Sequence, residues 1–259
     1  VTPLDRLPGQ SIAIAQRVLL EYWRQRRVLV FWGIFPVLML LLFGLIYREN
    51  EALRGGFDST PAGILIGAAL FFSCLGGTLA LLVAEKERRT LRRLLVSPLH
   101  PAAYFVGVVM ALSVVAALQA ALVFGLGRAI GAQYRGSIGL GVLAVALSVV
   151  GYVGLGFVFG ARFARRAEDI NGPLTGFGVP LLVLGGTFFP LELLPDVLRQ
   201  VAWFNPILHM NEALKGVSGR GQGFGELAGH FQFLFVFSAV ALTAGIASYR
   251  RLLAEERRA

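Results

Sequence analysis

"PAGILIGAALFFSCLGGTLALLVAEKERRTLRR", residues 61–93, opens with 24 residues that carry no charge and closes with nine positions that carry seven. At 1.5 Å per residue, a helix of the first part is about 36 Å long, enough to cross the ~30 Å hydrocarbon layer of a bilayer. In lipid every backbone N–H and C=O must be satisfied within the segment, which a helix achieves and an unpaired strand does not. The abrupt change from apolar to ionic residues marks where such a helix leaves the membrane.

The rest of the chain repeats the pattern. With 56% hydrophobic and 15% charged residues and a mean hydropathy of +0.70, it is far more apolar than a soluble domain. Uncharged stretches of spanning length run over 28–47, 61–84, 104–130, 137–161, 172–190 and 231–249. The expectation is an all-α polytopic membrane protein: one transmembrane domain over 1–259 with six transmembrane helices. Residues 10–27 differ, because Ile12, Ala15, Val18, Leu19 and Tyr22 form one apolar stripe while Arg17, Glu21, Arg24 and Gln25 lie off it. This segment is expected to be an interfacial helix along the inner leaflet, with Trp23 at headgroup depth. The first 27 residues lack the apolar core of a secretory leader, so the N-terminus is expected in the cytoplasm.

Charge bookkeeping supports that orientation. Of the 24 Lys and Arg residues, 17 fall before the first span, in the 85–103 and 161–171 loops and in the 250–259 tail. With acids subtracted, this side carries the whole formal excess of +9 and the other side none. The positive-inside rule then places both termini in the cytoplasm of a multi-pass membrane protein. The basic pI of 10.6 is accounted for by anionic membrane lipids rather than by nucleic acid. The single cysteine, Cys74, reads as a small core residue, and His100, His209 and His230 read as isolated, so no metal site is expected. The only lysines, Lys86 and Lys215, lie outside any phosphate-binding glycine loop, no H-E-x-x-H or G-x-S-x-G occurs, and Glu255 with Glu256 sit in a charged tail. The chain is expected not to be an enzyme and to bind no cofactor.

Two stretches carry the functional reading. After the second span, Leu91, Leu94 and Leu95 share one helical face, Lys86, Arg88, Arg89, Arg92 and Arg93 surround it, and Pro98 and Pro101 stop the helix. Scattered Lys and Arg would suffice to set topology; the added Glu85 and Glu87 and the leucine ridge point to a docking element, since charge pairs fix register while leucines fill a groove. In "GGTFFPLELLPDVLRQVAWFNPILHMNEALKGV", residues 185–217, Pro190, Pro195, Asn205 and Pro206 interrupt the helix and Glu192 and Asp196 interrupt the apolar run. The expectation is a re-entrant helical hairpin over 190–214 at the outer mouth of a pathway, with Phe188 and Phe189 at its entrance. An extracellular amphipathic helix capping the bundle is the alternative.

"EKERRTLRRLLVSP" after the second span and "GGTFFPLELLPDVLRQVAWFNP" after the fifth resemble the ABC type 2 permease family, membrane subunits of bacterial exporters for drugs, lipids and polysaccharides. The resemblance covers nearly the whole chain, from 10–27 through the last span. It implies that 85–103 is a cytoplasmic coupling helix docking on a separate ABC-type ATPase, which would hold ATP and Mg, and that a second permease copy, identical or similar, completes the transporter. Glu85, Glu87, Arg88, Thr90, Leu91, Leu94, Leu95 and Pro98 match the family's first pattern, and Pro190, Pro195, Asn205 and Pro206 its second. Arg89 and Arg92 depart from the Gly and the acid usual there, which implies a more basic docking face, with Arg92 and Arg93 as contacts.

No ionisable residue lies deep in an expected span, so proton or ion coupling inside the membrane has no candidate group. Phe71, Phe72, Gln119 and Phe177 are candidate pathway lining, with a helix-to-helix hydrogen bond as the other role for Gln119. An amphiphile such as a lipid, a lipid-linked glycan or a hydrophobic drug fits such a path. A proton-driven carrier and a non-transporting scaffold are the other readings that the residues leave open.

Overall fold

The computed structural model describes residues 7–50, 56–88, 100–164, 166 and 168–258, and among them every regular element is helical. Helix α1 (Leu7–Arg24) buries Ile14, Ala15, Val18 and Tyr22. It lies across α4 (Pro101–Ala129), where a Cβ on Gly107 would collide with the Ile14 side chain and the Ser11 carbonyl. Of the expected stripe, Ala15, Val18 and Tyr22 are buried and Leu19 packs partly buried against the core, with Ile14 in the place of Ile12; Ile12 and Trp23 face outward at 47% and 72% exposure. A residue pair of this kind, apolar and exposed beside Arg24, suits the boundary of a bilayer. Gln25, with ψ at 60°, breaks the helix before α2 (Arg26–Glu49) begins.

Helix α3 (Gly56–Glu87) occupies the centre, with 89% of its most apolar window buried. Its middle, Leu65–Gly76, is wound as a π-helix between two α-helical ends. Such windings are rare and usually one turn long; here the wide turn spans 12 residues. Buried Gln119 ties the centre together: its Oε1 accepts from Ser73 Oγ at 2.9 Å and its Nε2 donates to the Trp32 carbonyl at 3.1 Å. Three helices, α2, α3 and α4, are thus joined by one amide, the helix-to-helix role weighed above.

Helix α5 (Ile138–Arg162) packs against both α3 and the long α10 (Phe224–Arg258). Gly154 lets the α10 backbone at Ala241 come close enough that a Cβ would sit 2.6 Å from it. Gly156 and Gly160 receive Thr78 and Leu82 of α3, and Gly63 and Gly67 receive Thr187, whereas Gly172 and Gly176 have no neighbour within 4 Å. Close approach, rather than glycine spacing as such, separates these pairs.

Among the described residues five helices are long and apolar enough to cross a membrane: α2, α3, α4, α5 and α10. The expected span 172–190 is not one of them. The chain there forms α6 (Glu168–Gly176) and α7 (Gly178–Leu184), separated at Phe177. Pro180 supplies the reason, because it has no N–H to give the Gly176 carbonyl and its ring would press on that carbonyl in a continuous helix. Gly186, at φ +66°, then closes α7, with its N–H on Val183 O and the Thr187 N–H on Leu182 O. The break thus comes before Pro190, where the sequence placed it. Two short helices follow: α8 (Asp196–Ala202) and α9 (Pro206–Ser218), joined through 203–205. Helix α10 is about 50 Å long at 1.5 Å per residue, well beyond the expected 231–249.

Candidate functional site

At the basic end of the bundle, the residues that open the 85–103 loop are anchored on two sides. Glu85, 3% exposed, accepts from Arg17 Nη2 of α1 at 2.7 Å. Arg88 Nη1 lies 3.1 Å from Glu21 Oε1, also on α1. Lys86 turns the other way and donates to the carbonyls of Gly160, Ala161 and Ala164 at 2.7, 2.9 and 2.8 Å. Gly160 and Ala161 are orphan carbonyls in the last turn of α5, where the helix dipole favours a cation, and Ala164 lies two residues past its end. Burial alone would lower the Arg17 pKa, but the facing Glu85 carboxylate outweighs it and holds the guanidinium above its ordinary value. Beneath this joint, Tyr104 stacks on Tyr249 at 4.8 Å and Phe157 packs edge-on against both, locking α4, α5 and α10 together. A displacement applied to residues 85–88 therefore reaches α1 and α5 at once.

Of the expected docking residues, Glu85, Glu87 and Arg88 lie on the end of α3, while Thr90, Leu91, Arg92, Arg93, Leu94, Leu95 and Pro98 lie outside the described residues. The partners that make the joint, Arg17, Glu21 and the α5 carbonyls, escaped the sequence reading. Opposite charges facing one another across 68 positions leave no local signal.

At the opposite end α9 holds the 181–189 turn in place. Asn205 caps α9 by accepting from the Ile207 N–H at 3.0 Å, and its amide donates to Leu181 O at 2.7 Å. One and a half turns on, Asn211 donates to Gly185 O at 2.8 Å and to Thr187 Oγ1 at 3.0 Å, and Lys215 donates to Gly186 O. Asn211 and Lys215 are i, i+4 on one face of α9, a signal that the sequence did offer. From α2, Tyr47 donates to Phe188 O at 3.2 Å, while Phe43 stacks on Phe188 at 5.1 Å and meets Phe189 edge-on at 5.7 Å. Pro190 precedes a single 3₁₀ turn, Leu191–Leu193, Pro195 precedes α8, and Pro206 opens α9. Phe188, Phe189, Pro190, Pro195, Asn205 and Pro206 thus lie at the turn and at the starts of the short helical elements that follow it.

His209 and His230, read from the sequence as isolated, are in contact: their Nδ1 atoms are 3.0 Å apart. The turn between α9 and α10 brings together residues 21 positions apart. His209 Nε2 faces the Trp203 carbonyl at 2.9 Å, and a carbonyl only accepts, so neutral His209 carries its proton on Nε2 and takes one from His230 Nδ1. Burial lowers the pKa of His209.

Among the candidate lining residues, Phe71 is buried edge-on against Phe72 and Tyr152, and Phe72 meets Phe31 and Phe35 of α2. Phe177, at the α6–α7 break, is 75% exposed, and Gln119 is enclosed in its three-helix tie.

Residues 9–217, from α1 through α9, match the model of the ABC-2 type transporter family. The chain belongs to that family. Both the joint and the 181–217 segment lie inside the matched stretch, and α10 lies beyond it. Among curated relatives of this ABC-2 chain, the probable multidrug ABC transporter permease YbhR of Escherichia coli (strain K12) is 28% identical over 168 residues. That alignment takes in 64% of this chain and 45% of YbhR. The inner membrane transport permease YhhJ of the same organism is 26% identical over 174 residues, covering 66% of this chain and 46% of YhhJ. The chain thus spans about half the length of the curated relatives it matches. Permeases of the ABC-2 family have no nucleotide-binding domain, and ATP is hydrolysed by a partner ATPase.

Proposed function

We propose that this ABC-2 chain is the membrane-spanning permease part of an ATP-driven exporter of the bacterial inner membrane, moving an amphiphilic or hydrophobic substrate outward. A separate ABC-type ATPase, carrying ATP and Mg, docks on 85–103, and a second permease copy completes the pathway. Both termini face the cytoplasm, and the 190–214 hairpin, with α6 and α7 as a broken sixth crossing, lines the outer mouth. The names of YbhR, a probable multidrug ABC transporter permease, and YhhJ, an inner membrane transport permease, agree with transport at that membrane.

The observation that carries this reading is the joint at residues 85–88. An element that only marked topology would need no buried carboxylate and no lysine seated on three carbonyls. These contacts make the root of the loop stiff in two directions, as a lever must be. The test is copurification with an ABC-type ATPase, followed by charge reversal at Arg92 and Arg93. Reversal is expected to uncouple ATP hydrolysis from flux while leaving the permease in the membrane. Unchanged coupling in that variant would remove docking at this loop.

A further inference from the structure

A cavity of 340 Å³ lies between the end of α2, the start of α3, the 187–192 turn and α9. At about 30 Å³ per water it holds roughly eleven, the size of a headgroup and too small for a whole lipid. One side is aromatic, with Phe43 stacked on Phe188, and the other is charged, with Glu192, Glu212, Lys215 and Arg220.

Two of the four charges are spent on one another, since Arg220 Nη2 and Glu212 Oε2 are 2.7 Å apart. The other two are not paired. The Lys215 ammonium has three hydrogens to donate, and among the described residues its one acceptor is Gly186 O. Among the described residues Glu192 offers a carboxylate with no hydrogen-bond or ion-pair partner, because Arg199 reaches its backbone carbonyl instead. A simple anion would satisfy Lys215 and meet repulsion from Glu192; a simple cation would do the reverse. A ligand carrying both charges satisfies both walls.

We propose that this cavity takes the zwitterionic head of a phospholipid-like amphiphile, its phosphate against Lys215 and its ammonium against Glu192, with the acyl chains leaving past Phe43 and Phe188. The proposal deepens the export reading and rests on it for the amphiphile. Lys215 reaches the cavity from the helix face that also fixes the 185–187 turn, so an occupied headgroup site would be felt by that turn.

The test uses the full chain in detergent, without ATPase or nucleotide, titrated with short-chain phosphatidylethanolamine, short-chain phosphatidylglycerol and free phosphorylethanolamine. Phosphatidylethanolamine is expected to bind about tenfold more tightly than either of the others. Glu192→Gln should erase its advantage over phosphatidylglycerol, Lys215→Met should weaken both lipids about tenfold, and Lys215→Arg should restore them. Glu192 is exposed at the rim, so its variant decides the matter even where Lys215→Met does not fold. Equal affinity for the two lipids in the unmodified protein, or an advantage that survives Glu192→Gln, overturns the zwitterion assignment. Free phosphorylethanolamine binding as tightly as the lipid overturns the amphiphile. Copurification and ATP-driven flux report on the permease reading alone, so either reading can fail without the other.

Discussion

Removing the two partners of the Arg17–Glu85 bridge one at a time should give unequal results, and the inequality follows from where each sits. Glu85 is 3% exposed and the Arg17 side chain 39% exposed, at an Nη2···Oε1 distance of 2.7 Å. Arg17→Met leaves a buried carboxylate without the guanidinium that offsets its burial, a loss of about 3 kcal/mol, at the low end for a broken buried pair because one partner is half in water. Glu85→Gln leaves a guanidinium that water can reach and a neutral acceptor still within hydrogen-bond distance, a loss of about 1 kcal/mol. The double variant should cost less than the sum of the two, because it buries no uncompensated charge. Equilibrium unfolding of the purified protein in mixed micelles reads these as about a hundredfold and about fivefold changes in the unfolding constant. If the joint carries force from a docked ATPase, Arg17→Met should also lower flux per ATP more than it lowers hydrolysis. Equal losses from the two single variants, or strict additivity in the double, would refute the bridge as a buried, compensated pair.

Other consequences are equally direct. Gly154→Ala should destabilise the protein by about 1–3 kcal/mol, because its Cβ meets the backbone of Ala241, whereas Gly172→Ala, with no neighbour within 4 Å, should be neutral or slightly stabilising in the same unfolding assay. Stability should fall as pH drops below the ordinary histidine range, since burial lowers the folded-state pKa of His209 and the unfolded chain then binds more protons; His209→Gln should flatten that slope. Phosphate-headed ligands should release as pH rises through Lys215's pKa, held at about 8 by burial, with Glu212, Arg220 and Glu192 the charged groups around it; Lys215→Arg should move that release to higher pH.

The fold was legible where one length scale decides it. Five of the six uncharged stretches became helices of spanning length because a run of more than 18 apolar residues has few other ways to hide its backbone. The stretch at 172–190 satisfied the same count and still broke, since Pro180 removes one donor at a point where hydropathy is blind to it. The exposure of Ile12 on α1 has a similar origin. Periodicity finds an apolar face, but Ile12 and Leu20 make a second one, and the choice between them is made by Gly107 on another helix.

The site divides along the same line. Asn205 and Pro206 were readable because a cap and an N1 proline act within three residues of themselves. Arg17 with Glu85, Lys86 with the end of α5, and His209 with His230 join positions 68, 74 and 21 apart, and nothing in one sequence says which distant charge or ring will meet which. What the sequence did hold was the oddity of each residue alone: a carboxylate at the edge of an apolar run, a lysine where the chain has only two, a histidine in a mostly apolar stretch. A buried ionisable group must find a partner or lose its charge, so each such oddity is a contact waiting for its second half. Lys86 and Lys215 are the chain's only lysines, and in the folded protein both are seated on backbone carbonyls that helices could not satisfy for themselves. The compact ammonium of Lys86 brings three donors to one helix end, and that of Lys215 places one on the turn carbonyl of Gly186, where the broader planar fork of an arginine is harder to seat.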